Sequence, residues 1–182
     1  MTIINGCLVS ARQVGSPNFD SRPESIDVDL VVIHSISLPP NSFHGEGILQ
    51  LFTNQLDVNE HPYYREIGDL RVSSHILIRR TGEVIQFVNF NSRAWHAGES
   101  SFLGRNNCND FSIGIELEGN DFTAFEKKQY EVLVPLLQSI MKNYPKITKE
   151  RIVGHDMIAP ERKTDPGIGF DWNIIRKIFT SK

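Results

Sequence analysis

The chain has 182 residues, of which 40% are apolar and 23% charged, and its formal net charge is −3. This length suits one ordinary domain with a single core, and the composition is typical of soluble globular proteins. A protein that grips phosphate backbones needs an excess of basic residues, so we expect no nucleic-acid partner. We predict one domain over residues 1–182 that is a monomer.

The N-terminal residues lack the basic and apolar regions of a signal peptide, and no apolar run approaches the ~20 residues of a membrane span. We therefore expect a cytosolic protein without a membrane segment. Its only cysteines, Cys7 and Cys108, have no CxxC spacing. This favours two reduced, buried thiols over a disulfide.

Several short elements follow in the first half of the chain. The apolar run 30–33 predicts a strand buried on both faces, with His34 at its end. Residues 38–64, rich in Pro, Asn and Gly, predict a long surface excursion with one or two helical turns at 48–52. Residues 74–78 and 84–88, joined through Thr81-Gly82, predict a hairpin.

In the second half, apolar residues alternate with small or acidic residues over 111–119. This period of two predicts a strand with Glu116 and Glu118 on one face and three aliphatic residues on the other: Ile113, Ile115 and Leu117. A capping box at 123–126 predicts the start of a helix that ends at 143–145, and the helical spacing of its apolar residues predicts a stripe packed on the sheet: Leu133, Leu136, Leu137, Ile140 and Met141. Residues 151–155 predict a strand that ends at His155, before a loop through Gly169 and a last helix near Asp171. Together these elements predict an α/β fold, a central mixed sheet flanked by helices.

Two of the six histidines, His34 and His155, each close an apolar strand, and Asp165 follows ten residues after the second. If these strands are parallel neighbours, the two imidazoles and the loop carboxylate meet. Two imidazoles and one carboxylate leave a fourth tetrahedral position free, the arrangement of a catalytic zinc site. Considered alone, a histidine at the end of a strand is more often a hydrogen-bonded structural residue than a metal ligand.

A carboxylate beside such a site can move the protons of a hydrolysis, and a fixed ammonium can stabilise an oxyanion. Alternation alone does not choose between Glu116 and Glu118, and a solvated strand carboxylate is the commoner case. Lys163 stands two residues before Asp165, although a loop lysine is usually solvated. Trp95-His96 and Arg71 are candidates for substrate binding, with a core tryptophan and an exposed structural arginine as the alternatives.

Five blocks of the sequence resemble the AmpD-type N-acetylmuramyl-L-alanine amidases, which are related to phage-lysozyme-type amidases and peptidoglycan recognition proteins. They are VVIH (31–34), SHILI (74–78), WHAG (95–98), NDFSIGIE (109–116) and GHDMIAPERKTDPG (154–167). The resemblance implies the zinc amidase fold of that group. It also implies cleavage of the amide bond between 1,6-anhydro-N-acetylmuramic acid and L-alanine in cytosolic muropeptides, which serves peptidoglycan recycling and limits β-lactamase induction.

The resemblance further implies site roles. His34, His155 and Asp165 would bind Zn²⁺, Glu116 would be the acid/base, and Lys163 would stabilise the oxyanion. Arg71, Trp95 and His96 would contact the substrate.

The chain departs from the family pattern at Ser35, where asparagine is common, and at Asn107, where an arginine can occur. Two other functions stay open at this point: a muropeptide-binding module without catalysis, and a zinc peptidase of different specificity.

Overall fold

The computed structural model describes residues 1–177. Its strands are β1 (Ile3–Ile4), β2 (Cys7–Leu8), β3 (Arg12–Gln13), β4 (Phe19–Ser21), β5 (Leu30–Ile36), β6 (Ile76–Ile78), β7 (Val84–Gln86), β8 (Ser92–Ala94), β9 (Ser101–Phe102), β10 (Arg105–Asn106), β11 (Ser112–Glu118) and β12 (Ile152–Gly154). Its helices are α1 (Gly47–Phe52), α2 (Pro62–Ile67), α3 (Lys127–Asn143), α4 (His155–Ile158) and α5 (Trp172–Lys177), with 3-10 turns at Cys108–Asp110 and Lys149–Arg151.

The central sheet has six strands in the order β12-β5-β11-β6-β7-β3. All neighbours are parallel except β6 and β7, which form the predicted hairpin with Ile76 opposite Gln86. The sheet is therefore mixed and flanked by helices, and the predicted α/β class is confirmed.

One face of the sheet packs against the long helix α3. The aliphatic residues of β11 that alternate towards this face, Ile113, Ile115 and Leu117, are fully buried in one cluster with the α3 stripe Leu133, Leu136, Leu137 and Ile140. This agrees with both predicted periodicities. Burial of these aliphatic and aromatic side chains stabilises the fold through the hydrophobic effect.

The opposite face is covered in two parts. Near β6 and β7, a second apolar cluster includes Leu77 and Ile85 together with the buried residues of α1 and α2. Near β12, a third cluster joins Val32 and Val153 to Phe111 and Ile158. A cleft remains between these two coverings.

The predicted excursion at 38–64 is more ordered than expected. The short helix at 48–52 is present as α1, but α2 was not predicted, although Pro62 stands at its first turn and the His61 ring accepts a hydrogen bond from the Tyr63 N–H. Buried residues such as Phe52 and Tyr64 hold both helices against the sheet. The prediction of a surface excursion was wrong in this respect.

Four other boundaries differ from prediction. β5 continues past His34 to Ile36 because β11 pairs with it as far as Glu118. The hairpin strands are shorter than predicted, at 76–78 and 84–86. The capping box lies one turn later, between Glu126 and Gln129, so α3 begins at Lys127.

The fourth boundary is at β12, which covers only 152–154. Residue 151 ends a 3-10 turn, and His155 opens the short helix α4 instead of closing a strand. The last helix does begin after Asp171, whose Oδ1 accepts a hydrogen bond from the Asn173 N–H.

Both cysteines are free, as predicted, but only Cys108 is buried; Cys7 is exposed at the short β1–β2 hairpin. Among residues 1–177, no helix combines the length and the apolar character needed to cross a bilayer.

Candidate active site

His34, His155 and Asp165 meet at the cleft. Parallel pairing of β12 with β5 sets Gly154 opposite Ile33, so His155 follows directly beside His34. The Nδ1 atoms of the two histidines lie 2.9 Å apart. Asp165 Oδ2 is 3.2 Å from His34 Nδ1 and 3.1 Å from His155 Nδ1. The convergence expected from parallel strands is therefore present.

These three atoms form a set that can hold a metal ion. Ligand bonds of ~2.0–2.1 Å to a tetrahedral zinc ion separate neighbouring donor atoms by about 3.3 Å, close to the observed triangle. Two imidazole nitrogens and one carboxylate oxygen are also typical zinc ligands. The donor set and its spacing therefore fit Zn²⁺.

The protonation of these groups suits a ligand role. Burial lowers the pKa of His34 to about 4, although its hydrogen bond with Asp165 opposes the shift. Burial raises the pKa of Asp165, but hydrogen bonds with His155 and His34 outweigh it and hold that pKa below the usual aspartate range. At neutral pH His34 is thus neutral and Asp165 ionised, the forms that bind metal.

Glu116 and Glu118 share one face of β11, yet their surroundings differ. Glu118 is buried and its two oxygens accept hydrogen bonds from backbone N–H groups, Oε1 from His44 at 2.6 Å and Oε2 from Arg80 at 3.0 Å. Glu116 is also buried, stands opposite His34 in the β5–β11 register, and its Oε2 has no hydrogen-bond partner. Neither is the solvated carboxylate that is commoner on strands.

Glu116 lines the cleft, which has a volume of about 570 Å³. Burial raises the pKa of Glu116 well above its ordinary value; the Asp165 carboxylate adds to this and the Lys163 ammonium opposes it. A buried carboxyl group with a raised pKa and one unpartnered oxygen can accept a proton in one step of a reaction and return it in another.

Lys163 lines the same cleft and follows the turn after α4, where its backbone N–H donates to the Ala159 carbonyl. Its positive charge acts on both Glu116 and His34, because it adds to the lowering of the pKa of His34 and partly offsets the rise in the pKa of Glu116. The structure therefore brings Lys163 to the cleft with the three metal-binding candidates and Glu116.

The three residues predicted to contact substrate take different positions. Trp95 lines the cleft and is partly buried. Arg71 is exposed beside the cleft, between the lining residues Leu70 and Val72, and its guanidinium donates to the Gly68 and Leu70 carbonyls. His96 lines the cleft wall, but both of its ring nitrogens face protein atoms.

The sequence reasoning missed Asp121, which lines the cleft beside the candidate metal site. Its carboxylate accepts hydrogen bonds from Ser35 Oγ, at 3.2 Å, and from Thr164 Oγ1. Ser35 follows one metal-binding candidate and Thr164 precedes another, so Asp121 ties the two segments together. An Asn-Asp pair directly after a predicted strand was the available signal.

Asn107, the other departure from the family pattern, lies outside this cleft. It adopts a left-handed backbone conformation with φ 58° and lines a separate cavity of about 480 Å³.

The sequence profile of the N-acetylmuramoyl-L-alanine amidase family matches residues 24–168. The chain belongs to this family. The amidase is also 55% identical to the 1,6-anhydro-N-acetylmuramyl-L-alanine amidase AmpD of Haemophilus influenzae, over 93% of this chain and 92% of that protein. It is 50% identical to the AmpD of Escherichia coli, over 100% of this chain and 99% of that one.

Solved structures of amidases also match this chain. A crystal structure of a selenomethionine AmpD derivative superposes on the amidase with a TM-score of 0.95 at 51% identity, covering 98% of this chain and 99% of that one. The Escherichia coli amidase AmiD, in complex with the substrate anhydro-N-acetylmuramic acid-L-Ala-D-γ-Glu-L-Lys, has a TM-score of 0.62 at 29% identity, covering 86% and 60%. The resemblance to AmpD-type amidases predicted from the five blocks is confirmed, as is the amidase class.

Proposed function

We propose that the amidase hydrolyses, with Zn²⁺, the amide bond between 1,6-anhydro-N-acetylmuramic acid and L-alanine in muropeptides. One observation carries this proposal: the triangle of His34 Nδ1, His155 Nδ1 and Asp165 Oδ2 opens into a cleft whose wall holds the unpartnered Oε2 atom of Glu116.

The proposed roles follow from the surroundings of each side chain. His34, His155 and Asp165 would hold Zn²⁺, which would supply the Lewis acidity that makes a water molecule nucleophilic at neutral pH. Glu116 takes the proton that the attacking water loses, because it is the cleft carboxyl group without a competing partner. It then hands that proton to the nitrogen of L-alanine as the amide bond breaks. Lys163 stabilises the oxyanion that develops on the substrate carbonyl.

The substrate class is inferred from relatives. The AmpD proteins are named for anhydromuramyl-L-alanine amidase activity, and the AmiD complex contains an anhydromuramyl peptide. In this chain, Trp95 supplies an aromatic surface on the cleft wall for the sugar or the first peptide residue. Arg71, exposed beside the cleft, is placed to pair with a carboxylate of the peptide stem.

We infer that residues 1–182 form one catalytic domain, which works as a monomer in the cytosol. There it would release the peptide from recovered wall fragments for peptidoglycan recycling, and so limit β-lactamase induction. Neither a nucleic acid nor a membrane takes part in this proposal.

The test combines metal content with product analysis. We expect about one zinc ion per chain, loss of activity after chelation, and recovery on adding Zn²⁺. Mass spectrometry of the products from an anhydromuropeptide should show a free L-Ala-γ-D-Glu-diamino-acid peptide and an intact anhydro sugar. Full activity of the metal-free chain would overturn the zinc mechanism. Products cut within the peptide stem would instead indicate a zinc peptidase.

A further inference from the structure

Two adjacent residues face the outer sides of both candidate metal-binding histidines. The Nε2 atom of His34 lies 2.9 Å from Nδ1 of His96, and the Nε2 atom of His155 lies 3.1 Å from the carbonyl oxygen of Ala97. Each histidine therefore turns Nδ1 towards Asp165 and Nε2 towards the segment 96–97.

His96 is itself fixed from two sides. Its Nε2 lies 3.1 Å from Ser112 Oγ, so both ring nitrogens face protein atoms and neither remains for a substrate. Its ring also lies directly against Gly114 of β11, where a Cβ would come within 2.5 Å of the ring. Only glycine leaves room for the ring here, so the strand below sets the position of the imidazole.

We propose that His96 is a positioning residue that selects the metal-binding tautomer of His34, and that the Ala97 carbonyl does the same for His155. A neutral imidazole that binds an ion through Nδ1 must carry its proton on Nε2. That proton needs an acceptor, which His96 Nδ1 provides when its own proton is on Nε2 and points to Ser112. This inference rests on the proposed zinc site, and it replaces substrate contact as the role of His96.

Arg162 holds the second acceptor in place. Its Nη2 donates to the carbonyls of Ala97 and Glu99, both at 2.7 Å, and thereby anchors the segment next to His155. Gly98 lies between these carbonyls with φ 57°, and a Cβ there would lie 3.1 Å from Arg162 Nη2. The turn and the close approach of the guanidinium both favour glycine.

The test uses two variants of nearly equal shape, His96→Asn and His96→Leu. Both lose the ring, but only asparagine keeps an acceptor near the position of Nδ1. Changes to groups that orient metal-bound histidines typically cost 10–100-fold in metal affinity. We expect His96→Leu to bind zinc about 10–100-fold more weakly than the unchanged protein, and His96→Asn to recover most of that loss. Competition with a chromophoric chelator measures both affinities.

A spectroscopic readout separates orientation of the ligand from simple packing. In the Co²⁺ form, we expect the visible absorption of His96→Asn to match that of the unchanged protein and that of His96→Leu to shift. If His96→Leu fails to fold, Ser112→Ala removes the acceptor for His96 Nε2 and should also weaken zinc binding.

Equal zinc affinity and identical Co²⁺ spectra for the leucine and asparagine variants would overturn the inference. Should Ser112→Ala be the variant used, zinc affinity equal to that of the unchanged protein would overturn it. Failure of the unchanged protein to bind zinc would instead refute the proposed function on which the inference rests.

Discussion

The two faces of the central sheet are formed by the same strands, but the side chains buried on them differ in chemical character. Towards α3, β11 presents Ile113, Ile115 and Leu117, each fully buried among other apolar side chains. Towards the cleft, the same strand presents Gly114, Glu116 and Glu118. Full burial of one aliphatic side chain contributes about 1.5–3 kcal/mol, whereas a buried carboxyl group without a partner costs free energy.

This contrast separates stability from chemistry within one strand. The α3 face contributes to folding and is remote from the reacting atoms. The cleft face contains groups whose desolvation costs stability, and Glu116 keeps one oxygen unpaired. Within the cleft face, Glu118 is the exception, since both of its oxygens are used to hold the backbone. Substitutions on the two faces should therefore act on different measurable quantities.

The largest effect is expected from Glu116→Gln. An amide cannot accept and return the proton, so kcat should fall by about 10²–10⁴-fold. The zinc content should stay the same, and the free energy of unfolding should be no lower, because a neutral amide costs less to bury than an unpaired carboxylate. Steady-state kinetics on an anhydromuropeptide and urea unfolding measure the two quantities. Unchanged turnover would remove Glu116 from the mechanism.

On the α3 face, we expect Leu137→Ala to act on stability alone. Leu137 is fully buried, and such a truncation typically lowers the free energy of unfolding by about 2–5 kcal/mol. Below the unfolding transition, kcat and zinc content should match those of the unchanged protein. Val134→Ala on the same helix is the control, since Val134 is only partly buried and should lose less. A large fall in kcat for folded Leu137→Ala would contradict the separation of the two faces.

The smallest effect is expected from Glu118→Gln, which makes the same chemical change as Glu116→Gln two residues along the strand. One accepting oxygen becomes a donor that faces a backbone N–H of residue 44 or 80. The free energy of unfolding should fall by about 1–3 kcal/mol. Turnover should change much less than in Glu116→Gln. An equal loss of turnover in both variants would mean that the two carboxylates share the chemical step.

Local sequence pattern predicted the structure correctly where the periodicity of apolar side chains defines a strand or a helix. Alternation in 111–119 assigned the aliphatic face of β11, helical spacing assigned the buried stripe of α3, and the Thr81-Gly82 link marked the hairpin. Each depends on neighbours within a few residues. The family resemblance added the amidase class, because it uses several separated blocks together.

Local pattern failed to predict helix boundaries where contacts with distant segments determine the backbone conformation. The box at 123–126 did not open α3 because the Thr123 N–H is held by Asn120 Oδ1, and because Phe125 packs against Phe170 from the other end of the chain. Helix α2 was not predicted because its buried residues pack against β6 and β7, which lie later in the chain.

By itself, then, the order of residues determined the main strands of the central sheet and the long helix α3, which side of β11 is apolar, and which residues carry groups able to bind a metal. Only the tertiary structure decided that His34 and His155 stand side by side, and that Glu118 is occupied while Glu116 is left unpaired. The physical reason is range: periodicity acts over one or two turns, whereas pairing of β12 with β5 and the donors to Glu118 come from residues far apart along the chain.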